Sequence, residues 1–224
     1  MQLLGIDILF EGINMQRLLG GLWVTVRIAI ISVVLSMFFG ALIGILASSK
    51  NTILKIACKL YLECVRIIPL IVWLFLFYYG AARVFGVSWS GEITGIIVFT
   101  IWGSAEMSDL VRAAVTSLPL HQKQSALALG LNKYQLYIYI IVPQALRRLA
   151  PSAINLITRM IKTTPLVALI TVVEVLKIGQ QIIEYNVLKN PFAAFWVYGF
   201  VFFLYFIICY PISLASRKLE KKWQ

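Results

Sequence analysis

A chain of 224 residues that is 61% hydrophobic and 13% charged carries more apolar surface than one soluble core can bury. Its mean hydropathy of +0.89 points to a bilayer as the solvent instead. The formal charge of +11 does not mark a nucleic-acid binder, because the basic residues gather at the ends of apolar runs, as topology signals do. His121 is the only histidine, which excludes a multi-histidine metal site, and no metal ligand cluster is expected. Cys58, Cys64 and Cys209 form no C-x-x-C pair and read as small apolar packing residues.

The first twenty residues contain Asp7 and Glu11 and lack a basic region before an apolar core, so they do not read as a cleavable signal peptide. Five apolar stretches follow, at about 22–47, 53–79, 93–115, 154–173 and 192–214; Glu63 and Arg66 interrupt the second. Each supplies roughly the 20 residues that a helix needs to cross about 30 Å of hydrocarbon. Only helices satisfy every backbone group locally in lipid, so the expected fold class is all-α and transmembrane, with five core spans.

Lysine and arginine set the expected orientation. The first connection carries Lys50, Lys55 and Lys59, the third Lys123, Lys133, Arg147 and Arg148, and the tail Arg217, Lys218, Lys221 and Lys222. The second has only Arg83 with Glu92 nearby, and the fourth balances Lys177 and Lys189 against Glu174 and Glu184. The odd connections and the C-terminus are therefore expected in the cytoplasm and the N-terminus outside. A short surface helix is expected at 173–185.

The third connection, 117–151, is long yet not disordered in composition. Pro119 closes the preceding helix, and 122–129 reads as a short helix stopped at Gly130, a residue suited to a left-handed C-terminal turn. Asn132 caps a second helix, supported by Gln135 in the manner of a capping box, which runs over 133–142 and ends before Pro143. A helix–glycine–helix hairpin of this kind has apolar surface to bury and should dock on a partner.

That hairpin resembles the coupling loop of ATP-binding-cassette importer permeases, whose pattern is Glu-Ala-Ala, three residues, Gly, nine residues, Ile-x-Leu-Pro. Here the same spacing holds Gln124-Ser125-Ala126, Gly130 and Ile140-Ile141-Val142-Pro143, with Gln124, Ser125 and Val142 departing from the usual letters. Gln124 in place of Glu puts any charge interaction with an ATPase in doubt. Glu63-x-x-Arg66-x-x-Pro69-Leu70 and Ser108 to Ala114 (with Asp109 for Glu, then Arg112) are similar to elements of the polar amino acid uptake family. So are Pro143-Gln144-Ala145, Lys162-Thr163-Thr164-Pro165-Leu166 and, near the start, Gly21-Leu22 followed by Thr25. The resemblance covers about 20–217, and treats 1–224 as one permease domain with 117–151 as its coupling loop.

The resemblance implies a fold of five core helices, a second permease (a copy of this chain or a sister chain) and a dimer of ATPase subunits that hold ATP and magnesium. It also implies an extracellular or periplasmic substrate-binding protein and a bacterial inner-membrane location. Gln122, Gln124, Ser125, Ala126, Gly130, Ile140 and Pro143 would form the ATPase contact. Arg159, Lys162, Thr163 and Thr164, in the fourth span, would line the substrate path; the alternative for Arg159 and Lys162 is to snorkel toward the cytoplasmic interface. Glu63 with Arg66, and Asp109 with Arg112, stand at i, i+3 and are expected to pair as structural or gating groups, with Pro69 beside them. Gly40 and Gly44 form G-x-x-x-G, expected to seat another helix of the same chain. No Walker loop, G-x-S-x-G or paired catalytic group occurs, so the chain is not expected to be an enzyme or to bind a cofactor. A standalone channel or ion-coupled carrier is the competing reading; it needs no docking hairpin, and five spans without an inverted repeat match it poorly.

Overall fold

The computed structural model describes residues 5–223, which form helices joined by short turns, with no strand among them. α1 covers Asn14–Ala47, α2 Thr52–Ile67, α3 Leu70–Phe75, α4 Ala81–Phe85 and α5 Gly91–Thr116. α6 is Leu120–Ala128, α7 Lys133–Gln135, α8 Val142–Thr163, α9 Val175–Asn186 and α10 Ala193–Trp223. Taken alone, α1, the continuous stretch Lys133–Ile170 and α10 are long and apolar enough to span a bilayer. The helices on either side of Pro69, counted together, make a fourth. α5, with 26 residues, is long enough to be the fifth, but Glu106, Asp109 and Arg112 dilute its apolar character.

Three expectations about these spans are corrected. α1 begins at Asn14 rather than near residue 22, because Leu18 is buried and Arg17 donates to Gln181 Oε1 at 2.6 Å, contacts invisible to a hydropathy scan. The second stretch is not continuous: α2 stops at Ile67, and Ile68 is extended (φ −78°, ψ 125°), since the ring of a following proline disfavours the helical conformation in the residue before it. A π-helical turn at Leu76–Gly80 then joins α3 to α4, and Gly86 (φ 66°) ends the run.

The third correction concerns Pro143. The helix beginning at Lys133 does not end there; a π-helical turn, Leu136–Ile141, leads directly into α8. The wider turn bonds Val142 N–H to Tyr137 O, five residues back, and Pro143 sits in the first turn of α8, where its missing N–H is least costly. α8 gives way to a 3₁₀ segment, Thr164–Ile170, opened by Pro165 and closed at Thr171 (φ 69°). α10 extends beyond residue 214 through the basic tail.

The chain divides into two compact units. One comprises residues through Ser32, Leu70–Phe99 and Thr158–Pro211. Its apolar core gathers Leu18 of α1, Val175, Ile178 and Ile182 of α9, and Val197, Val201 and Leu204 of α10. The helix expected at 173–185 is therefore present as α9, with one face packed rather than wholly at the surface.

The other unit comprises Val33–Pro69, Thr100–Ile157 and the residues from Ile212 onward. Within it, α1 and α5 meet along small residues spaced four apart, which lets their ridges interlock closely. Ser36 Oγ donates to Thr100 O at 3.4 Å. A Cβ added at Gly40 would lie 2.9 Å from Ser104 O, and one at Gly44 2.7 Å from Ser108 O and 2.6 Å from Val111 Cβ. The G-x-x-x-G thus packs inside the chain, as expected. Gly44→Leu should lower stability by about 1–3 kcal/mol through overpacking. Gly199→Ala, with nothing within 4 Å of the added carbon, should cost nothing and gain up to about 1 kcal/mol of helix propensity, and serves as the control. Equal thermal midpoints in detergent for the Gly44 variant and the parent would contradict this packing.

Candidate functional site: a helix–glycine–helix hairpin and the charges of the spans

The hairpin is built from local signals. Pro119 precedes α6, and the turn after α6 bonds Leu131 N–H to Ala126 O at 3.1 Å around Gly130, whose φ is 84°. This is the backbone geometry for which glycine is favoured at a helix end. Asn132 Oδ1 then accepts from Gln135 N–H, and Gln135 Oε1 from Asn132 N–H, both at 2.9 Å, completing the expected capping box. Leu118, Ala126, Leu136 and Ile141 close into a small apolar core of their own. Arg148 pins the base, donating from Nη1 to both Ser117 O and Ser117 Oγ at 2.9 Å.

Of the seven residues assigned to the hairpin's contact face, Gln124, Ser125, Gly130 and Pro143 are exposed, and Gln122 and Ile140 are half-buried. Ala126 is turned inward, 1% exposed, so it seats the hairpin's own core rather than a partner. Sequence reasoning missed the residues that replace it on the outer face: Leu127, Leu129 and Tyr134, of which Leu129 is 81% exposed. Exposed leucines on a short helix outside any span are the signal that could have revealed them.

In the same unit, α2 and α5 carry an ion cluster. Arg66 Nε lies 2.7 Å from Glu106 Oε1, and Arg66 Nη2 lies 3.0 Å from Asp109 Oδ2. Arg112 Nη2 lies 2.6 Å from Asp109 Oδ1, the i, i+3 pair expected. The expected pair of Glu63 with Arg66 is not made. Glu106 is buried and demands a counter-charge, and the planar guanidinium can serve two carboxylates at once, so Arg66 turns from its own helix to α5. Glu106 was overlooked in the sequence, although a carboxylate amid the apolar letters of a span is itself a signal. No group of three or more metal-ligating side chains occurs among the described residues.

Residues 38–222 match the family described as binding-protein-dependent transport system inner membrane component. The chain belongs to that family.

Among its relatives is the probable glutamine ABC transporter permease protein GlnP of Bacillus subtilis (strain 168), 31% identical over 220 residues. That alignment covers 94% of this chain and 97% of the relative. A second, the probable amino-acid ABC transporter permease protein YckA of the same strain, is 31% identical over 196 residues, covering 84% and 82%. The fold matches a solved amino acid ABC transporter crystallised with histidines, with a TM-score of 0.83 at 23% identity over 93% of this chain and 94% of that one. A chain of the inward-facing MetNI methionine ABC transporter gives 0.70 at 20% identity, over 94% and 97%. At these identities the structural likeness is one of fold. The protein is thus a multi-pass, all-α membrane permease.

In this permease Arg159 and Lys162 lie one turn apart on α8, and both are exposed. Their two threonine companions differ from each other in burial. Thr163 Oγ1 donates back to Arg159 O at 2.8 Å. Thr164 is fully buried, its hydroxyl bonded to Ile161 O at 2.7 Å and 3.5 Å from the Tyr205 hydroxyl. Hydroxyls at the end of a helix commonly satisfy the last carbonyls in this way; Thr164 faces inward, whereas Thr163 stays half-buried.

Glu174, read from sequence only as a charge balancing a lysine, is fully buried and caps α9. Its oxygens accept from Leu176 N–H at 2.9 Å and Lys177 N–H at 2.8 Å, and Thr25 Oγ1 lies 3.4 Å away. Burial raises its carboxyl above the ordinary glutamate value, against the pull of those bonds.

Proposed function

We propose that this permease is the membrane subunit of an ATP-driven importer for polar amino acids, and that it works with a separate ATPase. The hairpin carries the reading: an autonomous apolar core ending in a left-handed glycine holds Gln124, Ser125, Leu127 and Leu129 outward as a rigid docking element. A channel or ion-coupled carrier has no use for such an element. Relatives that share most of the chain's length are glutamine and amino-acid ABC permeases, which supports the substrate class. On this reading chain 1–224 acts as one permease domain, with 117–151 as its coupling loop. It binds no cofactor itself; a dimer of ATPase subunits carries ATP and magnesium, closes beneath the hairpin and drives helix rotation. A second permease completes the path, and a binding protein delivers substrate to the outer face. Co-purification of the ATPase with the wild-type chain, lost when the hairpin is altered, tests the assignment.

Topology follows from the same reading: a bacterial inner-membrane protein with its N-terminus outside and its C-terminus in the cytoplasm. After replacement of the three native cysteines, a cysteine at Ser88 should be labelled by an impermeant thiol reagent added to whole cells. Cysteines at Asn51 and Gln122 should react only after permeabilisation. Labelling at Gln122 in intact cells would reverse the orientation.

The α8 pair bears on selectivity. A cationic substrate side chain meeting Arg159 and Lys162 in a partly wet cavity loses about 1–3 kcal/mol. Glutamine, glutamate or cystine should therefore be imported in preference to arginine or lysine. In vesicle uptake, Arg159→Ala should lower the rate for glutamate at least about fivefold. Preferred uptake of arginine, or unchanged kinetics in the variant, would overturn this selectivity.

A further inference from the structure

A cavity of about 560 Å³ lies where α2 faces the ends of α1 and α5, bordered on one side by the ion cluster described above. The charges of its α5 wall are balanced, Glu106 and Asp109 being matched by Arg112 and by Arg66, which reaches across from α2. Those that remain on the α2 wall are not. Lys55 and Lys59 line it one turn apart, and neither has an ion-pair partner among the described residues. Glu63 lines the same wall a further turn along and pairs with neither. Two ammonium groups at i, i+4 repel unless an anion lies between them. On the adjoining stripe of the same helix, Leu60 and Ile67 are 64% and 74% exposed.

A soluble anion would satisfy the lysines but make no use of the apolar stripe beside them, which in the bilayer faces acyl chains. An amphiphile with an anionic head satisfies both, and the lysines stand just after the end of α1 that the charge pattern places on the cytoplasmic side, where anionic lipids concentrate. We propose that this cavity is a binding site for one anionic phospholipid, its phosphate held by Lys55 and Lys59 and its acyl chains lying along Leu60 and Ile67, which follow the lysines into the membrane. The ammonium groups act as compact point charges with rotatable donors on the phosphate oxygens. The inference rests on the chain spanning a membrane, and on neither the substrate nor the ATPase.

Native mass spectrometry of the full-length permease in neutral detergent reads the site directly, with phosphatidylglycerol, phosphatidylcholine or inorganic phosphate titrated in. Phosphatidylglycerol should be retained in preference to phosphatidylcholine. Each lysine near a membrane phosphate contributes about a factor of five, so the Lys55→Gln/Lys59→Gln variant should bind phosphatidylglycerol about 30-fold more weakly. Lys55→Arg/Lys59→Arg should stay close to wild type, which separates loss of charge from a failure to fold, and Lys221→Gln/Lys222→Gln in the tail should change nothing. Equal retention of the two lipids, or unweakened binding in the glutamine variant, overturns the proposal. Inorganic phosphate binding as tightly as phosphatidylglycerol makes it a free-anion site and overturns the lipid. A glutamine variant that alters the monomer–dimer balance while binding lipid as before makes the lysines part of a subunit interface and overturns it too.

Discussion

A valine at Gly130 should leave the permease inserted in the membrane yet cut ATP-coupled uptake by more than about tenfold. Space is not the obstacle, since nothing lies within 4 Å of a Cβ built there. The backbone is: φ is 84°, and a β-branched residue in the left-handed region costs about 1–2 kcal/mol. The chain can relieve that cost by returning φ to negative values, but doing so swings α7 away from α6. The bond from Leu131 N–H to Ala126 O then breaks, and Leu118, Ala126, Leu136 and Ile141 lose their common core. Leu127 and Leu129 would no longer be presented in one fixed arrangement. Asparagine tolerates the left-handed region, so Gly130→Asn should keep most of the activity. ATPase co-purification and uptake by vesicles measure both variants. Wild-type coupling in the valine variant would mean that the hairpin's turn has no part in docking.

Arg66→Ala should cost about 2–4 kcal/mol, below the full value for a deeply buried pair because the Arg66 side chain is 38% exposed. The loss comes from the acids left behind. Glu106, 9% exposed, keeps its desolvation cost without its partner at 2.7 Å, and Asp109 retains only Arg112. Adding Glu106→Gln to Arg66→Ala should restore part of the stability, because it removes a buried charge that has lost its guanidinium. Arg66→Lys should rescue poorly, since an ammonium cannot span Glu106 and Asp109 as the guanidinium does. Thermal unfolding in detergent of the single and double variants measures the coupling. Strictly additive losses would show that Arg66 and Glu106 act independently.

Much of the hairpin was legible in its residues because its determinants are local. A proline, a glycine and an Asn-x-x-Gln box act over three or four residues, and α6, the left-handed Gly130 and the capping box follow from them. Pro143 misled for the opposite reason. Whether a proline ends a helix depends on whether a π-helical turn can form before it, which its neighbours' letters do not disclose. The i, i+3 rule found Asp109 with Arg112 and misassigned Arg66, because it sees only one helix.

By itself, then, the sequence determined the solvent, the helical class, the spans to within a few turns at their ends, and the hairpin. Hydropathy, backbone satisfaction in lipid and short-range capping act along the chain and can be read along it. Tertiary structure alone decided that Arg66 answers Glu106, that Ala126 and Thr164 face inward, that Glu174 is a buried cap, and that Lys55 and Lys59 share a cavity. Each of these depends on which distant segments pack together, through either a contact or the burial they impose. In a low-dielectric interior the nearest opposite charge or hydrogen-bond partner wins whatever its place in the sequence.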